Sequence, residues 1–273
     1  MSLYDKIFRP KEYKLPNGKV VAQKRSRAPL VWAVIIAMTI LSVKVTGFSF
    51  AILSKNMGNF WSMLGSMFPP DTKYMAKVWG PLLDTIKMSL LGSFVGSVVV
   101  VPFAFLASSN VVKNRVVNAI TKLFLSIVRT LPTLVIALVA TNIWGLGTIA
   151  GSIAIGVFSF AYIGKILYEE IETADMGSFE AMEAMGCTKS QAFRKAIIPQ
   201  VMPVYLSQSL FNFEGNVRYA AILGYVGAGG LGLILNERVA WRAYPSVGMI
   251  LVALYVTVFI IETISRAIRK RLV

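Results

Sequence analysis

The sequence has 273 residues, of which 56% are hydrophobic and only 15% charged, with a mean hydropathy of +0.65. A water-soluble globule is excluded by this apolar excess, and a disordered chain is excluded because disorder needs low hydrophobicity. One cysteine, Cys187, and no histidine leave no internal disulfide, no cysteine-cluster metal site and no imidazole base, while the meaning of a net charge of +15 depends on where the 28 Lys and Arg residues sit.

In chain order, residues 1–28 are a basic segment ending in Lys24, Arg25 and Arg27 before an apolar run. No small-x-small cleavage site follows, because Ile40 to Lys44 matches poorly, so the run Leu30–Val43 reads as an uncleaved first span occupying 29–46. Segment 47–80 carries Phe48, Phe50, Phe60, Trp61, Met63, Met67 and Phe68 ahead of Pro69-Pro70. It fits either a helix lying at the outer interface or a loop packed on the bundle. Five further charge-poor runs follow: Pro81–Ser108, Val117 to about Trp144, Gly147 to about Tyr168, Pro203 to about Leu223, and Ala243–Ile261. The third span holds Arg129 and the fifth holds Glu214 and Arg218. The expected fold is an all-α membrane protein with six transmembrane helices, five of them within residues 81–273.

With both termini inside, the inner segments carry 19 Lys and Arg residues and the outer segments 5. The positive charge is thus an orientation signal and an attraction to anionic membrane lipid, not evidence for nucleic acid.

The long loop between spans four and five has readable chemistry. Ser178 is placed to cap a short helix with Glu180 in its first turn, and Gly186 is a left-handed terminator. Thr188 and Gln191 have capping-box spacing for a second helix from Lys189 to about Ile198, and Pro199 marks a break before the next span. The pair would project Met182, Met185, Phe193 and Ile197 among charges, a knob suited to a groove on another protein. A DNA-reading helix-turn-helix fails on context, since it needs a third helix and its own core. A structural hairpin without a partner remains the alternative.

The pattern Glu180-Ala181-Met182-x3-Gly186-x9-Ala196-x-Ile198-Pro199 resembles the EAA loop of the membrane subunits of bacterial ABC importers. Glu180, Ala181, Gly186 and Pro199 fall on that family's motif; Met182, Ala196 and Ile198 depart from it conservatively. The resemblance covers roughly residues 80–273 and implies a methionine-permease-like type I importer core of five spans, with the first span as an addition. It further implies that loop 177–199, with Glu180, Ala181, Glu183, Gly186, Thr188, Phe193 and Pro199, docks on a separate ATPase present in two copies. ATP and Mg would bind that partner, no cofactor this chain. A second copy of the chain, an extracytoplasmic substrate-binding protein and a bacterial plasma (inner) membrane complete the implied setting. The stretch Phe213–Gly232 and Arg129-Thr-Leu-Pro132 are similar to phosphonate importer permeases, and importers of phosphite or phosphate esters share these features.

Glu214 and Arg218 are four apart and can pair on one helix face. Charges at membrane depth usually face the bundle interior or water, so the pair either lines the translocation route or ties span five to its neighbours. Arg129 has no carboxylate within four residues, so it either finds one on another helix or faces water, where it is a candidate oxyanion attractor. Asp84 and Lys87 read as an interfacial pair. The run Gly227-Ala-Gly229-Gly230-Leu-Gly232 formally matches a dinucleotide fingerprint, but it follows a span rather than a strand and suits close backbone packing beside the pathway. No phosphate-binding loop motif is present, which places ATP hydrolysis on another polypeptide. The rival readings, a membrane enzyme acting on a phosphorylated lipid and an ion-coupled carrier, lack respectively a base or metal site and an internal repeat.

Overall fold

A computed structural model describes residues 12–14, 16, 18–22 and 28–272. Most of the basic segment 1–28, including Lys24, Arg25 and Arg27, lies outside the described residues. Two compact units, Met1–Ser62 and Met63–Val273, are described separately.

In the first unit, β1 (Glu12–Lys14) pairs antiparallel with β2 (Val20–Ala22), a small hairpin outside the all-α expectation. Helix α1 (Ala28–Val45) is apolar all round with no buried residue, as a lipid-facing span requires. Helix α2 begins in this unit and runs Phe50–Ser66, with Phe50, Leu53, Met57, Phe60 and Leu64 at helical spacing along one face. The aromatic segment is therefore a helix, not a loop, and its apolar stripe suits an interface.

In the second unit, Asp71 caps a 3₁₀ turn (Thr72–Tyr74) by accepting from the Lys73 amide at 3.1 Å, and the chain enters α3 (Met75–Ala107). The single third span expected from the sequence is broken. It forms α4 (Arg115–Thr130) and α5 (Thr133–Trp144), bent by 85°. Proline explains the break: Pro132 has no amide hydrogen and pushes Leu131 into extended geometry, φ −73° and ψ 122°. Next come α6 (Thr148–Thr173), two short helices α7 (Gly177–Ala184) and α8 (Lys189–Ala192), then α9 (Ile198–Leu223), α10 (Leu231–Ala240) and α11 (Tyr244–Leu272). Among the described residues four helices are long and apolar enough to cross a membrane, and six spans result when each bent pair counts as one.

The core forms where α3 crosses α6. A Cβ on Gly92 would lie 2.6 Å from the Ser152 carbonyl oxygen and 2.8 Å from the Ile155 Cβ, so the two backbones meet with no room for a side chain. Helix α9 joins them through buried polar groups. Asn216 donates to Ser93 Oγ at 2.8 Å and to Ser159 Oγ at 2.9 Å, Asn212 donates to Ser159 Oγ at 2.8 Å, and Ser89 Oγ donates to the Asn216 carbonyl at 3.3 Å. In hydrocarbon, interhelical hydrogen bonds of this kind contribute about 0.6 kcal/mol each. Asn216→Ala removes two of them and is expected to lower stability by about 1–2 kcal/mol, read as an earlier denaturation midpoint in detergent. An unchanged midpoint would show that the network does not hold α9 to the α3–α6 pair.

Candidate functional site

The loop between α6 and α9 is a two-helix hairpin. Its first helix begins at Gly177, two residues before a Ser178 cap would place it, so Ser178 is not the cap. Asp175 Oδ1 instead accepts from the Gly177 amide at 2.9 Å. Gly186 then ends the helix with φ +88°, its amide donating to the Glu183 carbonyl while that of Cys187 donates to the Met182 carbonyl. The capping box is present: the Thr188 amide donates to Gln191 Oε1 at 2.9 Å, and Thr188 Oγ1 accepts from the Gln191 amide at 3.4 Å.

Pro199 does not break the chain away from the next span. A π-helical turn, Phe193–Ile197, carries α8 into α9, with the Ile198 amide donating to the Phe193 carbonyl five residues back. The wide turn and a place in the first turn of α9 accommodate a residue that lacks an amide hydrogen. Nor does the hairpin expose all four apolar residues. Met185 is 74% exposed, but Ile197 is fully buried with Ala104, Leu167, Ile171 and Val201. Phe193 meets Phe105 edge-on, ring centroids 5.2 Å apart. These two residues seat the hairpin on the bundle, while Glu180 and Ala181 remain on its open side. A recess of about 550 Å³ beside it is lined by Glu180, Glu183, Phe193, Lys189, Arg194 and Lys113. None of those five charged groups is in an ion pair with another described residue.

Glu214 and Arg218 pair as their spacing predicts, at 2.8 Å. The carboxylate is only 5% exposed, whereas Arg218 is 53% exposed. Its second oxygen meets Arg269 Nη2 of α11 at 3.3 Å, and that guanidinium also lies over the Phe211 ring, 5.5 Å from its centroid. In the sequence Arg269 is one of several basic residues of the terminal segment, and nothing local marks a partner 55 positions away. Arg129, at the end of α4 beside the Pro132 break, is exposed and forms no ion pair with another described residue.

Asp84 and Lys87 do not pair with each other. Both line a groove of about 640 Å³ between α3, α4 and α6, and the i, i+3 spacing is not closed by an ion pair. The glycine run follows a helix and a 3₁₀ turn (Gly224–Val226), with no strand before it, so the dinucleotide reading falls. Gly227, Gly229 and Gly230 all have positive φ. They set the turn against α3 and the start of α6: the Gly147 amide donates to the Gly227 carbonyl at 2.9 Å, and the Leu231 amide donates to Thr85 Oγ1 at 2.7 Å.

Known proteins resemble this chain in sequence and in fold. The family model described as the inner membrane component of binding-protein-dependent transport systems matches residues 100–273. The chain belongs to that family. This permease is 30% identical to a phosphite transport system permease protein of Stutzerimonas stutzeri over 209 residues, covering 77% of this chain and 76% of the relative. It is 28% identical to a putative phosphite transport permease of the same organism, covering 96% and 93%. A phosphate-import permease protein of Mycolicibacterium smegmatis is 28% identical over 232 residues, 85% of this chain but 44% of that longer protein. Among solved structures, an inward-facing methionine ABC transporter matches with a TM-score of 0.64 and 23% identity, covering 74% of this permease and 99% of the matched chain. That likeness shows the fold.

Proposed function

We propose that this permease is the membrane-spanning subunit of an ATP-driven importer, and that it passes phosphorus oxyanions delivered by an external binding protein into the cell. The observation that carries the reading is the hairpin 177–199. Capped at Thr188, terminated at Gly186 and seated by Phe193 and Ile197, it is a rigid lever continuous with α9, and its unpaired charges border an open recess. Two copies of an ATPase, each holding ATP and Mg, dock on it through Glu180, Ala181 and Glu183. Residues 81–273 supply half of a pathway, a second copy supplies the other half, and both termini face the cytoplasm. The relatives' names, which specify phosphite and phosphate, support the substrate class.

The pathway runs past the stretch of α9 that carries Arg218, because a half-exposed guanidinium there is unfavourable against lipid and favourable against water or an anion. Exposed, unpaired Arg129 and the glycine turn at Gly227, Gly229 and Gly230 border the same route. Movement of the ATPase pair is passed through the hairpin to α9, and the polar contacts of Asn212 and Asn216 carry it to α3 and α6.

Uptake of radiolabelled phosphite or methylphosphonate into proteoliposomes holding the full complex tests this. Wild-type complex is expected to import only with ATP and the binding protein. Arg129→Ala is expected to reduce uptake about tenfold or more, the loss of one charge-assisted contact to an anion. ATP-independent uptake would contradict the coupling, and unchanged kinetics in Arg129→Ala would remove that residue from the route.

A further inference from the structure

The ion cluster at the α9–α11 contact has more donors than its resident acceptor uses. Two guanidinium groups from different helices converge on one carboxylate, and each Glu214 oxygen is engaged by one arginine. Arg269 Nε is nevertheless buried without a hydrogen-bond partner, and so is Ser265 Oγ, one helical turn earlier on the same face of α11. The nearby acid on α11, Glu262, is engaged by Arg266 and does not supply the missing acceptor. Buried donors without acceptors are unusual in a folded protein and mark a place where a ligand, ion or water completes the set. Carboxylates offer two oxygens; a phosphorus oxyanion offers three or more on a tetrahedral centre. A phosphorus oxyanion therefore has enough acceptor oxygens to serve both guanidiniums now held by Glu214 and a further donor such as Arg269 Nε or the Ser265 hydroxyl.

We infer that Arg218, Arg269 and Ser265 form a transient oxyanion subsite, and that Glu214 is its tethered competitor. The passing oxyanion takes the place of the carboxylate between the two guanidiniums, and the return of the carboxylate expels it. Arg218 supplies the way in, because it is half-exposed while Glu214 is buried. Such an arrangement solves a general problem of transport, in which a site must attract its cargo yet hold it weakly enough to let it leave. A free pair of arginines would retain a phosphonate, whereas a covalently attached anion lowers the affinity without abolishing the attraction. The inference rests on the reading that the cargo is a phosphorus oxyanion.

The test uses the full transport complex in nanodiscs, with inorganic phosphate as probe and chloride at equal ionic strength as control, followed by thermal denaturation. Wild-type protein is expected to show little stabilisation by phosphate. Glu214→Gln is expected to melt lower in chloride and to recover in phosphate, with half-saturation at a concentration at least about tenfold lower than wild type, because removing a like charge from an anion site is worth more than that factor. The added change Arg269→Gln should abolish the recovery. Glu214→Asp keeps the charge but is one methylene too short to bridge both arginines, and intermediate stabilisation is expected. A folded Glu214→Gln indifferent to phosphate would overturn the inference. So would failure of both Glu214 variants to fold in phosphate as well as chloride, since the anion is required to replace the carboxylate. If wild-type complex imports no phosphorus oxyanion but Glu214→Gln is rescued by phosphate, the substrate reading fails and the subsite stands.

Discussion

Replacing Gly96 with leucine is expected to leave little folded protein in the membrane. A Cβ placed on Gly96 would overlap the Gly156 carbonyl oxygen and would lie 2.8 Å from the Ser159 Cβ and 2.9 Å from the Phe160 amide nitrogen. Two of these three obstacles are backbone atoms, which cannot turn aside as a flexible side chain could. Helices α3 and α6 must then separate. Ser159 accepts from both Asn212 and Asn216, so separation also breaks the attachment of α9. Overpacking alone destabilises by about 1–3 kcal/mol, and the lost hydrogen bonds add about 1 kcal/mol more, a large share of the roughly 5–15 kcal/mol that holds a typical domain together. Size-exclusion chromatography after mild solubilisation reads the result, with Gly156→Ala as the control. The nearest atom to a Cβ on Gly156 is 3.6 Å away, an ordinary contact, and that variant should elute as wild type. Normal yield of monodisperse Gly96→Leu would show that the helices do not meet so closely.

Gly186→Val is expected to spare the membrane bundle and disable transport. The backbone at Gly186 has φ +88°, a region closed to β-branched residues, while no atom lies within 4 Å of the position a Cβ would take. Steric crowding is thus not the issue; the backbone itself must change. Left-handed geometry is unfavourable by about 1–2 kcal/mol for an ordinary residue, enough to reorient an exposed two-helix hairpin but not to unfold the buried core beneath it. Loss of the proposed docking geometry should lower ATP-driven uptake more than about tenfold at unchanged expression, since a misplacement near 1 Å at such a contact can reduce a rate by about 10²-fold. Gly186→Asn, which tolerates the left-handed region better, should retain more activity. Equal uptake by all three proteins would separate the hairpin's shape from its function.

The sequence is legible where the physics is local. Apolar runs locate the spans, the Thr188–Gln191 box locates the start of α8, and Gly186 locates the end of α7. Pro132 lies within a run apolar enough to be one span, so hydropathy alone conceals an 85° bend that its missing amide hydrogen dictates. Pro199 misleads in the opposite direction, because a π-turn, whose register depends on packing around Phe193 and Ile197, lets the helix continue. The crossing at Gly92 and Gly96 does carry a readable signal, since Gly-x-x-x-Gly in an apolar helix marks close packing. Nothing in the sequence points from Arg269 to Glu214 or from Asn216 to Ser93. Those contacts are made across the bundle, and only the assembled fold brings their residues within reach.

Coupling of this permease to an ATPase through the hairpin 177–199 is tested most directly by co-expressing tagged permease with its cognate ATPase, extracting both in mild detergent and comparing wild type with Gly186→Val. The ATPase is expected to co-elute with wild type and to respond to loaded binding protein, and the variant, folded and in the membrane, is expected to lose the ATPase or its response. Undiminished co-elution and stimulated hydrolysis in the variant, or wild-type permease that elutes alone, would contradict that coupling.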